Sequence, residues 1–193
     1  VSRVVPAGGV SELVEAAPPV VVEEISSGGR RVKVSWFDPP FRPEPPDANQ
    51  AYGICFTEDG LIVLVCSDDD SGASYWNLPG GGVEPGETLE GCLEREVAEE
   101  ACAHVLANRY IGCQRVDDPD PPDGAMRFYQ TRFWARVELL PWEPRHETNG
   151  RRLVRPEHFL RELTWGSAPT ARLIVAAGAQ IEAELVAGRG VGA

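Results

Sequence analysis

Hydrophobic and polar positions repeat with two different periods along this chain, and the periods divide it into strands and helices. Residues 20–25 (VVVEEI) and 31–36 (RVKVSW) are rich in β-branched residues and flank Ser26-Ser27-Gly28-Gly29, which predicts a β-hairpin. Residues 51–57 and 61–67 flank Glu58-Asp59-Gly60 and predict a second hairpin with an Asp-Gly turn. A short strand follows at 75–78, and Gly80-Gly81-Gly82 reads as a loop. Residues 88–103 carry apolar positions at helical spacing, and residues 104–116 and 125–140 read as strands rich in β-branched and aromatic side chains. A short strand at 151–154, a proline-started helix at 156–163 and a last helix at 168–187 complete the set. In that last helix Leu173, Ala177, Ile181 and Leu185 recur every fourth residue, and Gly188 is the expected C-cap. One helical turn is expected at 11–17.

Residues 38–47 hold five prolines in ten positions, which excludes helix or central strand and reads as a linker. The chain is therefore expected to divide into an N-terminal extension (1–47), a main domain (48–187) and a short tail (188–193). Strands mixed with one central and one final helix imply a layered α/β domain. The extension can pair with a second copy of the chain to make a homodimer, or fold back on its own domain.

Composition narrows the partners. The 193 residues are 42% hydrophobic and 25% charged, ordinary globular proportions that exclude collagen-like and fully disordered chains. The net charge of −12 makes duplex nucleic acid and anionic membranes poor partners, since both need neutralisation by Lys and Arg. The longest apolar run, residues 61–66, falls far short of the roughly 20 residues that span a bilayer, and no secretory-leader pattern is seen at the N-terminus. Five scattered Cys lack zinc-site spacing and read as reduced, buried thiols, so a cytoplasmic location is expected. Charge is also segregated. Residues 58–123 hold 16 acidic and 3 basic side chains, whereas residues 127–172 hold 9 Arg against 5 Glu, a layout suited to holding a cation beside an anion.

The chemistry concentrates in residues 80–103. At about 100° per residue, Leu89, Leu93, Val97 and Ala101 form one apolar stripe. Glu96, Glu99 and Glu100 share a neighbouring patch, where like charges repel unless a cation lies between them. Mg²⁺ is the simplest such cation, because it takes oxygen ligands and bridges carboxylates to phosphates. The glycines that precede the helix let a backbone approach phosphate closely.

Gly81, Glu87, Arg95-Glu96-Val97 and Glu99-Glu100 stand at the spacing of the Nudix box, so the chain resembles the Nudix hydrolase family. Cys102 occupies the position of the closing glycine, which suggests a slightly longer helix or a strained cap. The resemblance implies an α/β/α sandwich around a mixed sheet, here with an N-terminal β-hairpin extension. It implies Mg²⁺- or Mn²⁺-dependent hydrolysis of a nucleoside diphosphate linked to another group. ADP-ribose-like compounds, nucleoside triphosphates and nucleotide sugars are the candidate small-molecule substrates. By position, Glu96, Glu99, Glu100 and Gly81 correspond to the metal site, with Glu96 also a candidate base. Arg95 and Glu87 correspond to the pair that orients them. Glu147 lies where some relatives carry a further ligand or base, and is otherwise a solvated loop residue. On the strand at 125–140, Arg132, Arg136 and Trp134 share a face and are candidates for phosphate and base contacts, the alternative being a helix-covered sheet face. A nucleotide-binding sensor on the same fold is the rival to an enzyme.

Overall fold

A computed structural model describes residues 18–27, 30–68, 72–119, 126–143 and 148–190. The expected turn at 11–17 and Glu147 lie outside the described residues. Nine strands, β1 (Val21–Ser27), β2 (Arg30–Phe37), β3 (Ala48–Phe56), β4 (Ile62–Asp68), β5 (Ser74–Asn77), β6 (Gly80–Gly82), β7 (Ala103–Asp118), β8 (Met126–Leu139) and β9 (Gly150–Val154), form one mixed sheet. Its order is β1-β2-β7-β8-β3-β4-β5, with β6 also paired to β3 and β9 to β4. All the pairings are antiparallel except β3 with β8. The described residues also form three helices: α1 (Leu89–Ala101), α2 (Pro156–Glu162) and α3 (Pro169–Gly190). None of them is long and apolar enough to cross a membrane.

Strict alternation along the central strands builds two cores. Ala51, Cys55, Val63, Val65, Phe133 and Ala135 face α1 and pack on its stripe of Leu89, Cys92, Leu93, Val97 and Ala101. The intervening Ile54, Phe56, Ile62, Leu64 and Trp134 face α2 and α3, where they meet Phe159, Ala171, Ile174 and Ile181. Side chains one residue apart on a strand point to opposite faces, so each central strand serves both layers. The result is the expected α/β/α sandwich.

The N-terminal hairpin joins this sheet directly. β2 pairs with β7 from Lys33↔Asp117 to Phe37↔Cys113, so the extension lies on its own domain and β1 becomes the outer edge strand. Trp36 is buried against Gly112, where a Cβ would lie 2.5 Å from the indole. Gly112 also has φ 140°, so it serves both the backbone and the close approach. The proline-rich stretch is irregular but packed. The Phe41 ring packs at a tilt against Phe37 and Tyr129, and Arg42 pairs with Glu90 of α1.

Three local expectations change. Gly80–Gly82 is a short strand on β3 rather than a loop. Helix α3 runs through Gly188 to Gly190, and its buried line passes through Ala171, Ile174 and Ile181, one side of the expected stripe. Leu173, Ala177 and Leu185 are half-buried beside it. Helix α1 stops at Ala101, and Cys102 caps it in the left-handed conformation at φ 46° and ψ 57°.

A β-carbon in that conformation costs roughly 1–2 kcal/mol relative to glycine. Cys102 is itself buried, so replacing it with Gly removes packing as well as strain. Comparing Cys102→Gly with Cys102→Ala separates the two effects. In urea denaturation the Gly variant is expected to exceed the Ala variant by about 1 kcal/mol, and equal stabilities would show that the cap is unstrained.

Candidate active site

Helix α1 is set in phase by its ends and its apolar stripe. Thr88 caps the N-terminus, its hydroxyl accepting from Gly91 N–H. With the stripe buried on the sheet, Arg95, Glu96, Glu99 and Glu100 project toward β6, which β3 holds through Ala51↔Gly81 and Tyr52↔Gly80.

Arg95 is the hub. Its Nε donates to Glu87 Oε1 at 3.0 Å, and its Nη1 donates to Glu96 Oε1 at 2.9 Å and to Glu99 Oε2 at 3.3 Å. Its Nη2 donates to Gly82 O at 2.8 Å and to Glu87 Oε2 at 3.1 Å. One guanidinium therefore ties together three carboxylates and the strand backbone. These bonds hold the Arg95 guanidinium well above its usual range. The hydrogen bond from Arg95 holds Glu87 below the usual carboxylate range. Glu96 moves the other way. Burial pushes its carboxyl up, and Arg95 only partly offsets burial and the neighbouring Glu99 and Glu87 charges. Glu100 turns aside and accepts from Gly80 N–H at 2.9 Å. Gly81 makes room for this packing: a Cβ there would sit 2.5 Å from Glu96 Oε1.

The four groups named from the sequence, Gly81, Glu96, Glu99 and Glu100, thus lie at one junction of β6 and α1. Among the described residues, no three Asp, Glu, His or Cys side chains are gathered as a ready-made metal-ion group. The reason is visible in the bonding: Glu96 and Glu99 face Arg95, and Glu100 faces Gly80. The donor chemistry still fits a hard divalent cation, which takes oxygen ligands and completes its shell with water, because several carboxylates crowd a half-buried Glu96.

The far end of α1 is held by residues that the motif did not reveal. Arg151 Nη1 donates to the carbonyls of Ala101, Cys102 and Leu140 at 2.8–3.0 Å, and its guanidinium lies over the Trp142 ring. Thr148 donates to Glu100 O. These bonds satisfy helix-end carbonyls where the closing glycine is missing.

The three candidates on β8 part company. Arg132 is 5% exposed and lines a cavity of about 250 Å³ together with Tyr52, Tyr75, Gln114 and Trp165. Tyr52, which stands opposite Gly80 in the sheet, lines this cavity too, on the α2/α3 side of the sheet. Arg136 and Trp134 instead lie under α3. Arg136 donates to both Glu182 oxygens and to Thr57 O, and Trp134 Nε1 donates to Glu182 at 2.8 Å. They do not line that cavity.

The family model for the NUDIX domain matches residues 48–174. The chain belongs to the NUDIX family. It is similar to the nucleoside triphosphatase NudI of Escherichia coli O1:K1 / APEC and of Escherichia coli O9:H4 (strain HS), at 50% identity over 62 residues. That stretch is 31% of this chain and 44% of those relatives, so less than half of their length is matched. Among solved structures, a mutant of the Bacillus subtilis pyrophosphohydrolase BsRppH aligns with TM-score 0.60 at 22% identity, over 83% of this chain and 97% of that one. A NUDIX hydrolase from Nitrosomonas europaea aligns with TM-score 0.52 at 18% identity, over 71% and 90%. At these identities the likeness is one of fold. The matched NUDIX region contains the whole junction around Arg95, whereas the hairpin β1–β2 precedes it.

Glu182 tests the division of the NUDIX strand β8. It and Arg136 are both largely buried, at 18% and 12% side-chain exposure, so Glu182→Ala strands a cation beneath α3. A loss of about 3 kcal/mol is expected in chemical denaturation. A change under 0.5 kcal/mol, the ordinary range for surface substitutions, would mean that the pair is solvated.

Proposed function

We propose that this protein is a divalent-metal-dependent pyrophosphohydrolase that cleaves a nucleoside diphosphate linked to another group. The observation that carries the reading is the junction of Glu96, Glu99, Glu100 and Gly81, built around Arg95. Glu96, Glu99, Glu100 and Gly81 are the groups that would hold Mg²⁺ or Mn²⁺. When bound, such an ion lowers the pKa of water and screens phosphate charge.

The remaining work falls to the chain itself. Arg95 holds Glu96 and Glu99 together beside β6 through its hydrogen bonds. Glu96, raised by burial and its acidic neighbours, is the proton acceptor for the attacking water. Phosphoryl transfer depends mainly on positioning and electrostatics, so no covalent nucleophile is required. The products are a nucleoside monophosphate and a phosphorylated partner. Nucleoside triphosphates lead the candidate substrates, because NudI carries that activity in its name. ADP-ribose-like compounds and nucleotide sugars follow. All five cysteines are free and buried, which supports a reducing, cytoplasmic setting.

The test is a hydrolysis screen over nucleoside triphosphates, ADP-ribose, nucleotide sugars and dinucleotides with Mg²⁺ or Mn²⁺. Turnover is expected on at least one class, to vanish with chelator, and to fall by about 10²–10⁴-fold in Glu96→Gln, with the circular dichroism of the fold retained. Full activity in Glu96→Gln or in chelator would overturn the assignment.

A further inference from the structure

Two of the three carboxylates at the junction, Glu99 and Glu100, stand in the last turn of α1. A helix end is the part that opens most easily, because its last four carbonyls have no partner within the helix. Arg95 bonds Glu96 and Glu99 from within α1. Glu100 instead accepts from Gly80 N–H of β6, so its place depends on where the end of the helix is held.

That end is held from a distant part of the chain. Thr148, 2% exposed, donates through Oγ1 to Glu100 O at 2.8 Å. Arg151 Nη1 donates to Ala101 O at 2.8 Å and to Cys102 O at 3.0 Å. Leu140 N–H also donates to Cys102 O, at 2.8 Å. Three successive carbonyls thus end on donors from the segment between β8 and β9 and from β9 itself. The sheet fixes these donors in turn. Asn149 N–H donates to Cys66 O, and the ladder continues through Cys66↔Gly150 and Val65↔Arg151.

The side chains suit the task. Cys102 turns the chain in the left-handed conformation, and the last turn of α1 carries no basic residue of its own. Arg151 supplies positive charge at this negative end of the helix dipole. Its guanidinium also lies over the Trp142 ring, 5.2 Å from the centroid, while its edge serves the carbonyls. A planar fork can do both, and an ammonium cannot. Glu100 is therefore anchored twice, at its main chain by Thr148 and at its carboxylate by Gly80.

We infer that Thr148 and Arg151 are positioning residues of the active site, which hold the carbonyls of Glu100, Ala101 and Cys102 and so keep the Glu100 carboxylate against Gly80. They act through Glu100 and take over the end of the helix that a closing glycine would otherwise shape. That Glu100 serves a cation rests on the pyrophosphohydrolase reading above; its placement by Thr148 and Arg151 does not.

The test uses the full chain and two readouts. Exchange of the Gly80 amide hydrogen, followed by NMR in chelator, reports the Glu100 contact without metal. Electron paramagnetic resonance of free Mn²⁺ reports cation affinity without turnover. Thr148→Val keeps the side-chain shape and removes the donor, and is expected to speed Gly80 exchange by about tenfold. It is also expected to weaken Mn²⁺ binding by about tenfold or more, as does loss of a group that orients a metal ligand. Thr148→Ser, which restores the donor, is expected to stay within about twofold of wild type in both. Arg151→Met, which keeps a long side chain but no charge or donor, is expected to weaken Mn²⁺ binding by about tenfold, with partial recovery in Arg151→Lys. Glu182→Ala destabilises the chain beneath α3, away from this helix end, and is expected to leave Mn²⁺ affinity within about twofold. Unchanged Gly80 exchange in a folded Thr148→Val overturns the inference. So does wild-type Mn²⁺ affinity in a folded Thr148→Val or Arg151→Met, or an equal loss in Glu182→Ala. A wild type that binds no Mn²⁺, with Gly80 exchange still faster in Thr148→Val, removes the metal reading and leaves the placement of Glu100 standing.

Discussion

Carboxylates packed three and four residues apart on a partly buried helix face repel one another, and the site depends on what offsets that repulsion. Here Arg95 does so, with hydrogen bonds to Glu87, Glu96, Glu99 and the Gly82 carbonyl. The bond to Gly82 also pins the middle of the helix to strand β6. A divalent cation would add positive charge where Glu96 remains crowded, because burial and its acidic neighbours leave that carboxyl raised despite Arg95. On the proposed reading, this electrostatic strain favours a cation, and polyphosphate is a substrate chemistry that uses one.

The fold serves this junction from both faces of one sheet. On one face, the stripe from Leu89 to Ala101 fixes the rotation of α1 and so the direction of its glutamates. On the other, α3 covers β8 and consumes Arg136 and Trp134 through Glu182, leaving Arg132 at the open end. Tyr52 on β3 lines the cavity on the α2/α3 face, while its neighbour Ala51 packs on α1 on the other. The α1 C-terminus, deprived of a closing glycine, is supported from β9 by Arg151, a long-range substitute for a local cap.

Local periodicity made the helix phase, the hairpins and the two-sided central strands legible, because each depends on residues within one element. The carboxylate cluster was legible for the same reason: Glu96, Glu99 and Glu100 lie on one helix, and Gly81 and Glu87 immediately precede it. The split among Arg132, Trp134 and Arg136 was not legible. Alternation assigns a face to a strand residue but does not say how far a helix 40 residues later will cover it. Arg151 and Thr148 were missed for a related reason. Each acts on a residue at least 48 positions away, and no spacing rule reaches that far. Gly188 failed as a stop because it lies past the last packed turn, where little opposes continuation of the helix.

The central claim, that the Arg95 junction is a cation site, is tested most directly by locating the cation itself. Crystals soaked in Mn²⁺ and measured for anomalous scattering are expected to show a peak within roughly 2–2.5 Å of a Glu96 carboxylate oxygen, with Glu99, Glu100 or the Gly81 backbone completing the protein ligands. Strong Mn²⁺ peaks elsewhere with none at this junction, or no difference between wild type and Glu96→Gln, would contradict it.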